Sequence, residues 1–307
     1  MKQNKVLVTG SSGFIGSHVA DALEEAGYQV ILFDVSPSKY KSETQEEFIG
    51  DILNPSDIEK AMEDCHTIYH FAAQADIGTS GDIPTTTITT NIIGTQNVLE
   101  VARKHRVNRF MFASTIYVYS ELGSFYRVSK QACEKIVEEY QKEFDLDYTI
   151  LRYGSLYGSR SNEFNFISNA LLQALKNKKI VRRGNGEEVR EYIHVKDAAQ
   201  LSVDAMDEKY KNKHLIITGN QRIRVKDLLI MIKEIFGGNI EIEFGQKEEL
   251  HHYGITPYNY RPQVAKKITP DTYCDLGQGL MDQIYDLEMD IDKENGGKKI
   301  SLLKRKK

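Results

Sequence analysis

A tyrosine and a lysine lie four residues apart, at Tyr126 and Lys130, and glycines recur at every third position from Gly10 to Gly16. Residues four apart on a helix share one face, so a phenol and an ammonium group would project side by side. Tyrosine is a poor base at neutral pH because its ordinary pKa is about 10, and a nearby cation favours its ionised form. We therefore expect Tyr126 to exchange protons with a ligand and Lys130 to lower the pKa of Tyr126.

The glycines lie between a strand predicted for Lys5–Thr9 and a helix predicted for Phe14–Ala26. Glycines in this position permit a tight turn, and the helix N-terminus offers free N–H groups and a positive dipole to a pyrophosphate. The pattern predicts a dinucleotide site, with contacts from Gly10, Ser12, Gly13, Phe14, Ile15 and Gly16.

Further cofactor contacts are expected where later strands end. Asp34 ends the second strand, where a carboxylate accepts hydrogen bonds from ribose hydroxyls and repels a 2′-phosphate, so we expect NAD rather than NADP. Asp51 and Ile52 follow the third strand and could flank an adenine, although a surface aspartate is the rival interpretation. Small residues in Ala72-Ala73-Gln74 leave room for a ligand against the backbone, whereas His70 is interpreted as a core histidine.

Strand-like and helix-like segments alternate along the first half of the chain and predict βαβ units in a doubly wound parallel sheet. The strands are predicted at Lys5–Thr9, Gln29–Asp34, Phe48–Asp51, Thr67–Ala73, Arg109–Ser114, Tyr148–Tyr153 and His214–Thr218, with long helices at Thr85–Lys104 and Tyr126–Phe144. We expect a Rossmann-type, NAD-binding domain of residues 1–155 plus about 197–225. A smaller mixed α/β lobe of about 156–196 plus 226–307 would bind the substrate.

Thr115 follows the fifth strand, at the sheet edge where ligands bind in such folds, and could donate a hydrogen bond to a reacting oxygen. With Tyr126, Lys130 and the dinucleotide site, this is equipment for moving a hydride to and from a sugar carbon.

These motifs resemble the extended short-chain dehydrogenase/reductase family, in its NAD-dependent nucleotide-sugar epimerase/dehydratase branch, and look like UDP-glucose 4-epimerases. The likeness covers nearly the whole chain and is carried by Thr9–Gly16, Asp34, Asp51-Ile52, Ala72-Ala73-Gln74, Asn91, Ser114-Thr115, Tyr126/Lys130, Leu151-Arg152-Tyr153 and Arg190–Asp197. The last segment is similar to the family signature R-[DE]-[FY]-I-x-V-x-D.

The resemblance implies that Tyr126 takes the proton of a sugar hydroxyl while Thr115 holds the oxygen and hydride passes to NAD. Return of the hydride to the other face of the keto-sugar would invert one carbon, C4 by analogy. The resemblance also implies that Asn91 contacts the cofactor and that Arg190 contacts the diphosphate. Ser155 stands where many relatives place a diphosphate-binding asparagine, and Arg261 is a second candidate phosphate contact.

Departures from the family pattern argue against two reactions, dehydration and decarboxylation. Dehydratases of the branch carry an Asp-Glu pair where this chain has Ile116-Tyr117, and decarboxylases usually carry a glutamate in place of Tyr117. Tyr126 follows Thr115 by only eleven positions, a segment that is longer in most relatives and forms part of the pocket wall. The alternatives to an epimerase are a sugar-nucleotide oxidoreductase that consumes its cofactor and a non-catalytic regulator that senses NAD(H).

Composition sets the remaining expectations. The net charge of −4 over 307 residues argues against a general nucleic-acid binder. Cys65, Cys133 and Cys274 match no metal spacing and favour free thiols, so we expect no metal and a cytoplasmic location. No segment reaches membrane-spanning length. By family likeness, a homodimer is expected through the helices at Thr85–Lys104 and Tyr126–Phe144.

Overall fold

The computed structural model describes residues 5–162, 165–245, 254–257 and 265–294. Its strands are β1 (Lys5–Thr9), β2 (Gln29–Asp34), β3 (Glu46–Ile49), β4 (Thr67–His70), β5 (Arg109–Thr115), β6 (Tyr148–Tyr153), β7 (Ser155–Tyr157), β8 (Lys179–Arg182), β9 (Val189–His194), β10 (Lys213–Ile217), β11 (Arg222–Arg224), β12 (Glu241–Phe244) and β13 (Ala265–Ile268).

The α-helices are α1 (Phe14–Glu25), α2 (Pro55–Ala61), α3 (Ile77–Ser80), α4 (Pro84–Ile88), α5 (Gly94–Lys104), α6 (Ser124–Phe144), α7 (Phe166–Asn177), α8 (Val195–Asp204), α9 (Val225–Ile235) and α10 (Leu276–Glu294). A π-helical turn at Thr89–Ile93 joins α4 to α5, and short 3₁₀ turns occupy Ile116–Tyr119 and Glu208–Tyr210.

Eight strands form one parallel sheet in the order β13-β10-β6-β5-β4-β1-β2-β3. Alternate residues of β1 enter the two apolar layers, since Val6 and Val8 pack on one face while Leu7 packs on the other. Helices α1 and α8 cover the first face, and α5 and α6 cover the second. Burial on both faces explains why these strands are nearly continuous apolar runs. The predicted doubly wound sheet is confirmed.

The smaller lobe has its own apolar core, built from α7, α9 and α10. Two small sheets, β11-β9-β7 and β12-β8, complete it. The sequence pattern did not predict β7, β8, β11, β12 or β13, because strands of three or four residues contain too few side chains to establish an alternation. Within the range expected to form the lobe, β13 instead pairs with β10 in the main sheet.

The helix predicted at Thr85–Lys104 is interrupted by the π-helical turn at Thr89–Ile93. Such a turn widens the helix by one residue and is often found at functional sites. The strand predicted at Thr67–Ala73 ends at His70, so the segment from Phe71 leaves the sheet as a loop at its carboxyl edge. In the described ranges, no helix combines the length and apolar character that crossing a membrane requires.

Candidate active site

The turn after β1 is closely packed around two of the predicted glycines. Gly10 has a φ of +72°, which favours glycine, and a Cβ atom at this position would lie 2.5 Å from the backbone nitrogen of Ala72. A Cβ atom at Gly16 would lie 2.2 Å from the carbonyl oxygen of Gly10. Gly13 caps α1 without a side-chain hydrogen bond, so the first N–H groups of the helix are open to an anion.

Asp34 lies at the end of β2, beside this turn. Its Oδ2 atom accepts a hydrogen bond from the Ser12 backbone N–H at 3.0 Å, and its Oδ1 accepts one from the Ser36 N–H at 3.3 Å. The hydroxyl of Ser12 donates to the Ser36 carbonyl at 2.7 Å. Ser12 therefore orients the Asp34 carboxylate and the following loop, and its own side chain is engaged in this contact.

Asn91 lies behind the cofactor loop. Its side chain is buried, accepts a hydrogen bond from the Gln74 N–H at 2.7 Å and donates to the Gln74 carbonyl at 3.0 Å. The same amide donates to Ser129 Oγ on α6 at 2.8 Å. Asn91 thus clamps the Ala72–Gln74 loop, and the cofactor contact that the resemblance implies for it stays a prediction.

A cleft of about 760 Å³ runs along the carboxyl edge of the main sheet from the glycine turn to α6. Most of the predicted cofactor residues line it, with the exceptions of Ser12 and Asn91: Gly10, Gly13, Phe14, Ile15, Gly16, Asp34, Asp51, Ile52, Ala72, Ala73, Gln74, Tyr126 and Lys130. The open helix N-terminus suits a pyrophosphate and the Asp34 carboxylate suits ribose hydroxyls, so this donor and acceptor set fits NAD. Ile52 is buried under Gly94, while Asp51 is exposed.

Thr115 and Tyr126 meet at the far end of this cleft. Thr115 is buried at the end of β5, and its side chain hydrogen-bonds the Tyr126 hydroxyl. Lys130 lies one helical turn further along α6, with its Nζ 6.0 Å from the centre of the Tyr126 ring. That ammonium group donates to the Ala113 carbonyl at 2.8 Å, which fixes it between β5 and the cleft.

Burial controls the ionisation of this pair. It raises the pKa of Tyr126 to about 12, although the Thr115 hydrogen bond acts in the opposite direction. Burial also lowers the pKa of Lys130 to about 8, against the attraction of Cys133 and Glu134. The expected lowering of the Tyr126 pKa by Lys130 stays a prediction, because the groups that shift this pKa here are the buried surroundings and Thr115.

His70 is confirmed as a core residue. It is fully buried, its Nδ1 lies 2.7 Å from Thr9 Oγ1 and its Nε2 lies 2.9 Å from Thr95 Oγ1. Burial lowers the pKa of His70 to about 3, so the ring stays neutral at physiological pH and joins β4 to its neighbours.

A second cleft, of about 860 Å³, lies between the main sheet and the smaller lobe. Ser155 and Arg190, which are expected to contact the substrate, line this cleft. Arg182, Arg183 and Asp76 also line it but were not predicted from the sequence. Arg261 lies outside the described residues. Arg182 is on the short strand β8 and Asp76 is in a loop, so neither has a sequence pattern of its own that would have indicated it.

The short segment between Thr115 and Tyr126 forms one wall of this second cleft. It folds as the 3₁₀ turn at Ile116–Tyr119 and reverses at Gly123, whose φ is +111°. A Cβ atom at Gly123 would lie 2.7 Å from the Tyr117 ring, so Tyr117 packs on the bare glycine backbone and turns toward the cleft. The part of the cleft wall that this short segment forms therefore consists mainly of the Tyr117 side chain.

Thr115 and Tyr126 line both clefts. A dinucleotide cleft and a ligand cleft that meet at a hydrogen-bonded Thr/Tyr pair, with a lysine one turn away, define an NAD-binding protein of the short-chain dehydrogenase/reductase type. The profile of the family described as the NAD dependent epimerase/dehydratase family matches residues 6–218, and the chain belongs to that family.

Individual relatives agree with this assignment. The chain is 30% identical over 271 residues to a protein of Methanocaldococcus jannaschii that is provisionally named UDP-glucose 4-epimerase. The matched region covers 81% of this chain and 88% of that protein. It is similar to the crystal structure of UDP-glucose 4-epimerase with UDP-glucose from Thermotoga maritima (26% identity, 94% and 99% of the two chains, TM-score 0.82). It is also similar to UDP-glucuronic acid 4-epimerase from Bacillus cereus with UDP-glucuronic acid and NAD (25%, 93% and 99%, TM-score 0.83). The predicted family, NAD dependence and epimerase class are confirmed.

Proposed function

We propose that this protein inverts C4 of a UDP-activated hexose, with NAD regenerated in each cycle. The observation that carries the proposal is the meeting of the two clefts at Thr115 and Tyr126, because a sugar held there lies beside both the cofactor cleft and a proton-accepting side chain. UDP is chosen because the relatives reported above are named for UDP-sugars.

The residues at the junction divide the chemistry among themselves. When bound, NAD supplies a reversible hydride acceptor and a positive charge at its oxidised ring. Ionised Tyr126 takes the proton of the C4 hydroxyl and returns a proton to that oxygen after the keto-sugar has rotated in the site. The positive charge of bound NAD would favour the ionised form, against the burial that raises the pKa of Tyr126. Thr115, already bonded to the Tyr126 hydroxyl, keeps the sugar oxygen in line with it. Lys130, with a pKa of about 8, is mostly protonated at neutral pH. It would bind the nicotinamide end of NAD in the cofactor cleft.

The diphosphate is assigned to the cationic side of the second cleft. Arg182, Arg183 and Arg190 line that side, and Arg182 is oriented by Glu188. Guanidinium groups bind phosphates in a bidentate manner, so this side suits a pyrophosphate. We assign Ser155, Arg190 and Arg261 to substrate binding, as the family likeness implies. We assign residues 1–155 and 197–225, together with β13, to the cofactor domain and the remainder to the substrate lobe.

We also propose a homodimer formed through α4, α5 and α6. Both α4 and α5 pack against α6, and the surface of α4, the π-helical turn and α6 carries large exposed apolar side chains, namely Ile88, Ile93, Phe125 and Val128. Exposed apolar side chains on packed helices suit a self-complementary interface. Light scattering should give twice the monomer mass, and Val128→Glu should give the monomer mass. A cytoplasmic location suits the three free thiols.

The proposed function is tested by product analysis. Wild-type protein with NAD and a panel of UDP-sugars should convert one of them to its C4 epimer, as observed by NMR. Tyr126→Phe should lower kcat by about 10²- to 10⁴-fold while NAD still binds.

Tyr140→Phe is the matched control for that variant. Tyr140 lies on the same helix, and its hydroxyl donates a long hydrogen bond of 3.4 Å to Glu100. It is absent from the described lining of both clefts. If Tyr126→Phe and Tyr140→Phe were equally active, the proposed role of Tyr126 would be wrong.

A further inference from the structure

Asp76 occupies the junction of the two clefts. Eight of the described residues line both clefts, and Asp76 is the charged member of that set: Phe14, Ala75, Asp76, Thr115, Tyr126, Gly154, Leu156 and Asn162. An aspartate carboxylate is negatively charged at neutral pH. The position where the sugar must lie to reach Tyr126 is therefore bordered by an anion.

The loop that carries Asp76 is fixed at both ends. Asn91 clamps Gln74 on one side through two hydrogen bonds of 2.7 and 3.0 Å. On the other side, Oδ1 of Asp76 accepts a hydrogen bond from the Gly78 N–H at 2.9 Å and caps α3. Within the described ranges no donor bonds the second oxygen, Oδ2, so that atom is available to a ligand. The carboxylate is thus held in place with one oxygen uncommitted.

The cations of the second cleft lie on its opposite wall. Arg182, Arg183 and Arg190 belong to the smaller lobe, whereas Asp76 belongs to the main domain. Arg160 follows β7 but is paired with Asp21 at 2.7 Å and is absent from the described lining of both clefts. A bound nucleotide sugar would have its diphosphate beside the arginines and its sugar beside Asp76, with Tyr117 as the neighbouring wall.

We propose that Asp76 determines sugar specificity, by accepting a hydrogen bond from a neutral hexose and repelling the carboxylate of a hexuronic acid. This inference rests on the proposed function. At an effective dielectric constant of about 20, two like charges about 12 Å apart already weaken binding about tenfold. A sugar carboxylate held at the junction that Asp76 lines would meet this repulsion. The protein would therefore differ in substrate from the B. cereus relative, which is named for UDP-glucuronic acid.

The test compares UDP-glucose with UDP-glucuronic acid in wild-type protein and in Asp76→Asn. Asparagine keeps the oxygen that caps α3 and removes the charge. We expect kcat/KM to favour UDP-glucose by at least about tenfold in the wild type, and Asp76→Asn to reduce that preference about tenfold, mainly by improving UDP-glucuronic acid. Asp82→Asn is the matched control, because Asp82 lies exposed in the same segment and lines neither cleft; it should leave the preference unchanged.

Binding separates this inference from the proposed reaction. Calorimetric titration of each nucleotide sugar into NAD-loaded Tyr126→Phe, with and without Asp76→Asn, measures the same preference without turnover. If binding showed the predicted preference but the wild-type protein did not epimerise either sugar, the epimerase proposal would be contradicted and the role of Asp76 would stand. A wild-type preference for UDP-glucuronic acid, or a preference that Asp76→Asn changes less than twofold, would overturn the role of Asp76.

Discussion

Glu134 holds together a buried polar cluster directly beneath the Thr115–Lys130 site. Its Oε1 accepts hydrogen bonds from Ser114 Oγ at 2.5 Å and from Arg152 Nε at 2.9 Å, and its Oε2 accepts one from Arg152 Nη2 at 2.6 Å. The side chains of Glu134 and Arg152 are 5% and 8% exposed. Arg152 also donates to the hydroxyl of Tyr119. Replacing Glu134 with glutamine would leave a buried guanidinium without a counter-charge.

The size of this effect follows from the burial. Removing one member of a buried ion pair costs about 3–5 kcal/mol of unfolding free energy. Glutamine retains one acceptor oxygen, so we expect the lower limit, about 3 kcal/mol, for Glu134→Gln. Glu139→Gln on the same helix is the control, because its partner Lys142, at 2.6 Å, is exposed, and such surface pairs contribute less than about 1 kcal/mol.

Urea unfolding at pH 7 measures both variants. The double variant Glu134→Leu with Arg152→Met should be more stable than Glu134→Gln, because it removes both charges and keeps the volume apolar. If Glu134→Gln were no less stable than Glu139→Gln, the assignment of Glu134 as the buried counter-charge would be refuted.

Three further predictions concern the cofactor site and the core. Gly16→Ala should destabilise the glycine turn by about 1–3 kcal/mol in urea unfolding, since its Cβ would lie 2.2 Å from the Gly10 carbonyl oxygen; no loss of stability would contradict that close approach. Asp34→Ala should weaken NAD binding about tenfold and reduce the preference for NAD over NADP in fluorescence titrations, whereas an unchanged preference would exclude Asp34 from ribose recognition. Burial lowers the pKa of His70 from 6.5 to about 3, so only the unfolded chain binds its proton between these values and stability falls as the pH drops through that window. The unfolding free energy of His70→Gln should therefore fall less steeply than that of the wild type, by up to about 1.4 kcal/mol per pH unit. Equal pH slopes in the wild type and the variant would contradict this prediction.

The parts of the site that could be predicted from the sequence are those fixed by local spacing. The glycine turn lies between a strand and a helix, and Tyr126 and Lys130 lie four residues apart on α6, so short stretches of chain determine their relative positions. Their ionisation could not be predicted in this way. The Ala113 carbonyl that holds Lys130 belongs to β5, and the burial that raises the pKa of Tyr126 depends on the whole fold.

Roles and residues that depend on distant contacts could not be predicted from the sequence. Asn91 clamps a loop seventeen residues earlier in the chain, and the π-helical turn that presents it has no sequence pattern of its own. Asp76 and Arg182 enter the second cleft from a loop and from a four-residue strand, whose places depend on how the lobe packs on the sheet. Tertiary packing therefore determines the ligand-facing residues that periodicity does not indicate.

The number of substrate molecules converted per NAD tests the central claim most directly. Purified protein would receive NAD well below the concentration of the UDP-sugar, while NMR records the C4 configuration and absorbance records reduced nicotinamide. We expect many epimerised molecules per NAD with no net reduced cofactor. Product limited to the amount of NAD supplied, with reduced cofactor accumulating in step, would contradict the epimerase mechanism and indicate a cofactor-consuming dehydrogenase.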